Sequence, residues 1–571
     1  MEKVLLTVDG SRGSWYTYVN GTGLVSKVNF DGYSVQNTFD ELNRTEARKY
    51  TFGSNKSVFE TMDYNRVGNR TDGKVMSHSF GGSYEFNYEY DQNGNITRIS
   101  DDSGNLRNEY TYDELGRLTS EINIPKGSQS SKAVVGEKIE YLYSKDGNIY
   151  QRNFYKVQAL QGKTYVDAKA NRSDSFGYSN TEWSDQLSSA RINGKGFNFT
   201  YDKIGNPLSY RDSMVMTWQN GRQLKSIKVD DTTTLEFTYD INGQRQSKVE
   251  KKNGAAVHTT KYYYDGTKLV GENKDGTIVW YDYDENGTPV GMRLNGADYV
   301  FRRNLQGDIT GIFDSTGTLV VEYTYGNSWG FGITVSGSKA AEIGACNSLR
   351  YRGYYYDSES GLYYLNTRYY DPSICRFVNA DELLNQTDMQ GFNLYSYCFN
   401  NPVVYVDPDG TCPYNGTAAD FRNLEAGRPP MNCTCVGGNV KDIIQASSHD
   451  VNRRPYTGKP GSTYKAPNGD SRTYGPDGTP EHDYDHDDHG RPDKHPHDSN
   501  GGHNHDWKNG VRGPSYSIGL EPIAGVALVT VCIIGIVVVA ADDATGIGVA
   551  DDFLFGPLGA GVGEGLILIF G

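Results

Sequence analysis

The densest chemistry in this 571-residue chain lies towards its C-terminal end, where seven of the ten histidines fall between His482 and His505. Carboxylates interleave with them. The run is Asp483-Tyr484-Asp485-His486-Asp487-Asp488-His489-Gly490, followed by Lys494-His495-Pro496-His497 and His503-Asn504-His505-Asp506-Trp507. Imidazole nitrogen and carboxylate oxygen together suit a divalent ion such as zinc or manganese. His503 and His505 can share one ion if the segment is extended, because alternate residues of a strand lie on one face. His486, His489, Asp485 and Asp488 are the candidates to complete that set. The same groups suit metal-free acid/base chemistry, with His503, His505 and Asp506 as its candidates, since imidazole titrates near neutrality. A solvated, low-complexity loop kept soluble by these residues is the third reading. The residues alone leave all three open. A nuclease built here would lean on the metal for phosphate attraction, because Asp outnumbers Lys and Arg across the block.

The rest of the chain explains what must hold such a segment. The whole chain carries 44 Tyr and 67 Gly, with a net charge of -15. Tyr favours half-buried pleated surfaces and Gly supplies the positive φ that tight turns need, so the composition predicts a mainly β protein rich in hairpins. The acidic balance argues against a broad nucleic-acid-binding surface. Seven cysteines are scattered without C-x-x-C spacing and imply no disulfide framework. The first residues, Met1-Glu2-Lys3-Val4-Leu5-Leu6, hold too short an apolar run for a secretion signal.

One pattern recurs: aromatic-x-Tyr, then usually Asp, two variable residues and Gly. It reads Tyr88-Glu89-Tyr90-Asp91 with Gly94, and Tyr110-Thr111-Tyr112-Asp113 with Gly116. It returns at Tyr141-Leu142-Tyr143, Phe199-Thr200-Tyr201-Asp202, Phe237-Thr238-Tyr239-Asp240, Tyr262-Tyr263-Tyr264-Asp265 and Tyr281-Asp282-Tyr283-Asp284. The two aromatics share one face of a strand, Asp opens a turn by accepting N–H groups ahead of it, and Gly closes it. Such a hairpin cannot bury its face alone, so the units must stack into one continuous spiral of antiparallel strands.

These units resemble the YD repeats of the Rhs family. The segment 351–410 resembles that family's repeat-associated core: Tyr351-Arg352-Gly353-Tyr354-Tyr355-Tyr356-Asp357, Gly361-Leu362-Tyr363-Tyr364-Leu365-Asn366-Thr367-Arg368-Tyr369-Tyr370-Asp371-Pro372, and Tyr405-Val406-Asp407-Pro408-Asp409-Gly410. The resemblance implies a shell of β-hairpins over 1–345, a core segment over 346–410 that plugs one end, and a variable, toxin-like tail from 411. It also implies that the shell is part of a longer one. In several members of the family the core segment is an aspartyl autoprotease that frees the tail after a D-P-x-G-L motif. Carried over, Asp381 with Asp388 or Asp407 would supply the two carboxylates, and the cut would fall beside Thr411. The chain departs from the family twice, with Glu382 where Pro is usual and Thr411 where Leu is usual.

After Gly410 the rhythm stops. The tail comprises 411–515, with its His/Asp block at 470–507, and an apolar stretch over 516–571. The block is similar to a short module at the C-terminal ends of Rhs-type proteins from Gram-positive bacteria. The uncharged run 523–541 has a membrane-spanning length of about 20 residues and would form a helix that inserts in a membrane or stays inside the shell. The expected function is a polymorphic toxin whose shell delivers the tail to a competing cell, by secretion or from the cell surface. A target-cell component and a cognate immunity protein would be its partners. The alternative is a surface adhesion protein that binds carbohydrate or protein and has no activity.

Overall fold

The computed structural model describes residues 2–4, 14–19, 22, 24–64, 74–82, 84–126, 132–381, 393–411, 413–415, 463–465, 471–474, 480–485, 503–508 and 511–512. The chain divides into two units, Met1–Asn439 and Val440–Gly571.

In the first unit the repeat motif builds each turn in the same way. One oxygen of Asp91, Asp113, Asp202, Asp240 and Asp284 accepts the backbone N–H groups of the second and fourth residues after it, at 2.8–3.0 Å. The glycine between them sits at positive φ, 91° at Gly94 and 76° at Gly116, where a side chain would be strained. The first aromatic of each unit is buried, as at Tyr88, Tyr141, Phe237 and Tyr281. The second is partly buried against the same core and also makes a hydrogen bond. Its hydroxyl donates to a main-chain carbonyl of an earlier strand: Tyr90 to Val75, Tyr112 to Ile96, Tyr143 to Leu118 and Tyr239 to Leu224, at 2.6–2.9 Å. A β-bulge falls at that Tyr in each of these units, which re-aims the side chain. At about 1 kcal/mol net per bond, the series ties each unit to its predecessor. Asp40 and Asp314 close turns of the same kind after Phe39 and Phe313, units in which phenylalanine hides the pattern.

The strands pair in chain order into a 17-stranded sheet, from Glu2–Val4 to Lys195–Asn198, and a 14-stranded sheet, from Thr200–Tyr201 to Thr334–Ser336. The expected single continuous sheet is therefore two. The break lies at Phe199, where the chain changes partners. Lys195–Asn198 pairs back with Ser189–Ile192, whereas Thr200–Tyr201 pairs forward with Pro207–Ser209. The two sheets meet through buried charge: Arg48 lies 3.3 Å from Asp284, and Asn37 donates to Glu285 at 2.9 Å.

The segment after Arg350 forms its own four-stranded sheet, Tyr355–Asp357, Leu362–Leu365, Arg368–Asp371 and Arg376–Phe377. Tyr364 and Tyr370 are buried, in keeping with an aromatic run too apolar to stay wet. Buried ion pairs anchor the sheet to the repeats: Asp357 to Arg245 and Lys248, and Asp371 to Arg211. The following loops read the repeat turns directly. Asn401 donates to the Gly116 carbonyl at 2.8 Å, Asn400 to that of Gly147 at 2.9 Å, and Tyr395 to that of Gly205 at 2.9 Å.

The second unit carries a five-stranded antiparallel sheet, Thr463–Lys465, Ser471–Tyr474, Pro480–Asp485, His503–Lys508 and Val511–Arg512. The apolar run 523–541 lies outside the described residues, among which no helix is long and apolar enough to cross a membrane.

Candidate active site

The strand Arg368–Asp371 begins at a residue that gathers the candidate carboxylates. Nη2 of Arg368 lies 2.8 Å from Asp381 Oδ2 and 3.4 Å from Asp407 Oδ2. Its guanidinium stacks on the Phe377 ring, 3.5 Å from the centroid, and Nη1 donates to the Leu394 carbonyl at 3.2 Å. Asp381 is fixed through its backbone, whose N–H also donates to Leu394. Asp388 lies outside the described residues.

Asp407 opens a turn across Pro408, Asp409 and Gly410. Its Oδ1 accepts the N–H groups of Gly410 and Thr411, each at 3.0 Å, and its own N–H donates to the Tyr354 hydroxyl at 2.9 Å. The turn needs Gly410: φ is 77°, and a Cβ there would stand 2.8 Å from the Leu365 carbonyl oxygen and Thr367 Oγ1. The turn-capping role that Asp-Pro dipeptides commonly play is thus present. It does not exhaust Asp407, whose other oxygen faces Arg368. The side chain is fully buried. Burial pushes the carboxyl up to about 7, Asp409 and Asp381 add repulsion, and Arg368 pulls the other way.

The carbonyl oxygen of Gly410 accepts from Arg368 Nε; Thr367 Oγ1 lies 2.9 Å from the same oxygen and donates its one proton over the shorter distance, 2.6 Å, to the Asp409 carbonyl. On the other side of that peptide bond, the Thr411 N–H points at Asp407 and Asp409. The arrangement supplies a charged donor on a carbonyl oxygen, a carboxyl raised to about 7, and a second carboxyl paired with the same arginine. Those are the parts that hydrolysis of an amide requires. Sequence reasoning picked Asp381 and Asp407 and missed Arg368 and Thr367. Both lie inside the aromatic run that carried the resemblance, and only the fold brings them to Gly410.

The tail candidates are a separate set. His486, His489 and Asp488 lie outside the described residues. Asp485 belongs to the strand Pro480–Asp485, and His503, His505 and Asp506 to His503–Lys508. The two strands pair with Asp485 opposite His503, Asp483 opposite His505 and His482 opposite Asp506. Among residues whose side chains are described, no group of three or more His, Cys, Asp and Glu is placed to hold a metal ion.

Comparison with known proteins agrees with this architecture. The family model described as RHS Repeat matches residues 88–129. The tRNA nuclease WapA of Bacillus subtilis (strain 168) is 29% identical over 355 residues, covering 57% of this chain and 15% of that protein. Toxin subunit YenC1 of Yersinia entomophaga is 26% identical over 377 residues, covering 58% of this chain and 37% of the relative. This chain thus spans well under half the length of either. Among solved structures, the Photorhabdus luminescens Tc holotoxin pore superposes with a TM-score of 0.51 at 17% identity, over 72% of this chain and 22% of that one, a likeness of fold. The aromatic-x-Tyr-Asp turns of residues 88–129 are thus those of an RHS Repeat, and over more than half of its length this chain is similar to YD-repeat proteins.

Proposed function

We propose that this chain is part of a polymorphic toxin in which a YD-repeat shell encloses and delivers the variable tail beyond Gly410, and that Asp381, Arg368 and Asp407 sever the chain beside Thr411 to free that tail. The observation that carries the reading is the Gly410 carbonyl held by Arg368, with both carboxylates on the same guanidinium. It sits at the point where the repeat composition ends. The names of the relatives, a nuclease and a toxin subunit, support the effector role of the tail.

In the step itself Asp381 takes a proton from water as the hydroxyl oxygen bonds to the carbonyl carbon of Gly410. Arg368 stabilises the oxygen as it gains charge. Asp407 gives its proton to the Thr411 nitrogen as the carbon–nitrogen bond breaks, so Gly410–Thr411 is the bond best poised.

Delivery to another cell requires export, and survival of the producer requires a cognate immunity protein. Expression of the whole chain in a host without that protein tests the reading. Growth arrest that vanishes with Asp407→Asn supports an effector freed by self-cleavage. Unimpaired growth with the wild-type chain, shown to accumulate and to cut itself, would remove the toxin reading and leave the protease.

A further inference from the structure

Thr411 carries a hydroxyl on the leaving side of the bond that Arg368 polarises. Its Oγ1 donates to Asp409 Oδ1 at 2.7 Å, and its nitrogen lies 3.1 Å from the same oxygen. That shared acceptor holds the hydroxyl on the side of its own nitrogen. From there Oγ1 is one five-membered ring away from the Gly410 carbonyl carbon, a ring that closes through the Thr411 nitrogen, Cα and Cβ. Nucleophile and carbonyl already belong to one chain, so the entropy of an encounter does not oppose the step. A base at hydrogen-bond distance is what activates a hydroxyl for attack. Asp409 is itself held, since its carbonyl accepts from Thr367 Oγ1 at 2.6 Å and from the Thr367 N–H at 3.2 Å.

A threonine bonded to a carboxylate two residues earlier also closes other turns. Thr316 donates to Asp314 at 2.6 Å and Thr232 to Asp230 at 2.8 Å. Thr411 differs from Thr316 in the carbonyl that precedes it. That of Ser315 accepts from the neutral Ser54 hydroxyl at 2.7 Å, whereas that of Gly410 accepts from the Arg368 guanidinium. A charged donor there stabilises an oxygen that gains charge. Asp407 stands on the nitrogen side, with Oδ1 3.0 Å from the Thr411 nitrogen. Base, polarised carbonyl and acid thus surround one peptide bond.

We propose that Thr411 is a catalytic residue of the cut, its hydroxyl attacking the Gly410 carbonyl carbon to turn the Gly410–Thr411 amide into an ester before water acts. The step presupposes the self-cleavage reading and adds to it. As the Oγ1–carbon bond forms, the hydroxyl proton passes to Asp409 and negative charge gathers on the oxygen beside Arg368. The carbon–nitrogen bond then breaks; its electron pair stays on nitrogen, which takes the proton of Asp407. Water activated by Asp381 next bonds to the ester carbon. The carbon–Oγ1 bond breaks, Oγ1 recovers its proton from Asp409, and the products are the Gly410 carboxyl and the Thr411 amine.

Hydroxylamine, which takes acyl groups from esters, tests this on the full-length chain near neutral pH, with intact masses as the readout. The wild-type chain is expected to yield a fragment ending in a Gly410 hydroxamate. Thr411→Val keeps the shape without the hydroxyl. It should yield no hydroxamate and cut at least about 100-fold more slowly, well within the loss seen when a catalytic nucleophile is removed. Thr411→Cys should cut through a thioester, so that dithiothreitol speeds it. Thr316→Val, which removes the same kind of turn bond elsewhere, should leave the rate unchanged. Wild-type cutting without hydroxamate, Thr411→Val cutting at the wild-type rate, or a cysteine variant indifferent to thiol would each overturn the Thr411 step and leave self-cleavage standing. A wild-type chain that never cuts would overturn both.

Discussion

Arg368 and Gly410 are joined side chain to main chain: the guanidinium Nε of one donates to the carbonyl oxygen of the other, across 42 residues of sequence. That bond places the end of the repeat-associated segment against the strand from which Arg368 projects. It also makes the arginine common to the polarised carbonyl and to both carboxylates. Arg368→Lys keeps a charge but loses the fork that reaches four oxygens at once. It is expected to slow self-cleavage by about two orders of magnitude or more, the usual cost of one oxyanion donor, as read from the fraction of cut chain against time.

The pH dependence follows from Asp407. Its carboxyl titrates near 7 because it is buried, so the acid form prevails below neutrality. Self-cleavage is expected to fall as pH rises through about 7, on the limb belonging to the acid. A rate that rises through that range instead would assign the acid role elsewhere.

Glu285 provides a stability test at the seam between the two large sheets. Burial raises its carboxyl to about 7, with Asp284 adding repulsion and Arg48 opposing it. The folded chain thus holds a proton that the unfolded chain gives up near 4.3, and stability declines as pH rises between those values. Glu285→Gln removes the titration while keeping an acceptor for Asn37. The variant is expected to gain on the wild type across that window, by up to about 2 kcal/mol at pH 8, a discounted share of the shift. Thermal unfolding of both at pH 4.5 and pH 8 measures it; an equal difference at the two pH values would contradict it.

Arg245 is fully buried among the rings of Tyr262, Tyr355 and Tyr364, and pairs with Asp357 at 2.6 Å. Arg245→Leu leaves Asp357 with Lys248 alone. The variant should lose roughly 3 kcal/mol, in the range found when one partner of a buried pair is removed. Denaturant unfolding followed by tyrosine fluorescence checks it.

Gly410→Ala would force a Cβ into 2.8 Å contacts with the Leu365 carbonyl and Thr367 Oγ1 at positive φ. It should abolish cleavage while leaving the sheets intact, which circular dichroism of the uncut variant would show.

Much of this was legible in the residues. The aromatic-x-Tyr-Asp-x-x-Gly spacing announced hairpins because each position has a local job that no distant contact overrides. The second tyrosine packs against the core beside the first, as their shared face implies, but its bond to an earlier carbonyl depends on a bulge that no spacing reveals. Phe39-Asp40 and Phe313-Asp314 escaped because phenylalanine at the second position lacks the hydroxyl that made the pattern conspicuous. The switch of partners at Phe199 has no local signature either. Asp381 and Asp407 could be named only by resemblance, because they lie 26 positions apart in the sequence and meet through Arg368 alone.

The central claim is that the chain cuts itself beside Thr411, and intact mass spectrometry of the purified full-length protein, held folded and then denatured, measures it most directly. Two masses are expected, one for a fragment ending at Gly410 and one beginning at Thr411, replaced by a single uncut mass in Asp381→Asn and in Asp407→Asn. A single full-length mass for the wild-type protein after prolonged incubation below pH 7, or cleavage that persists undiminished in both variants, would contradict it.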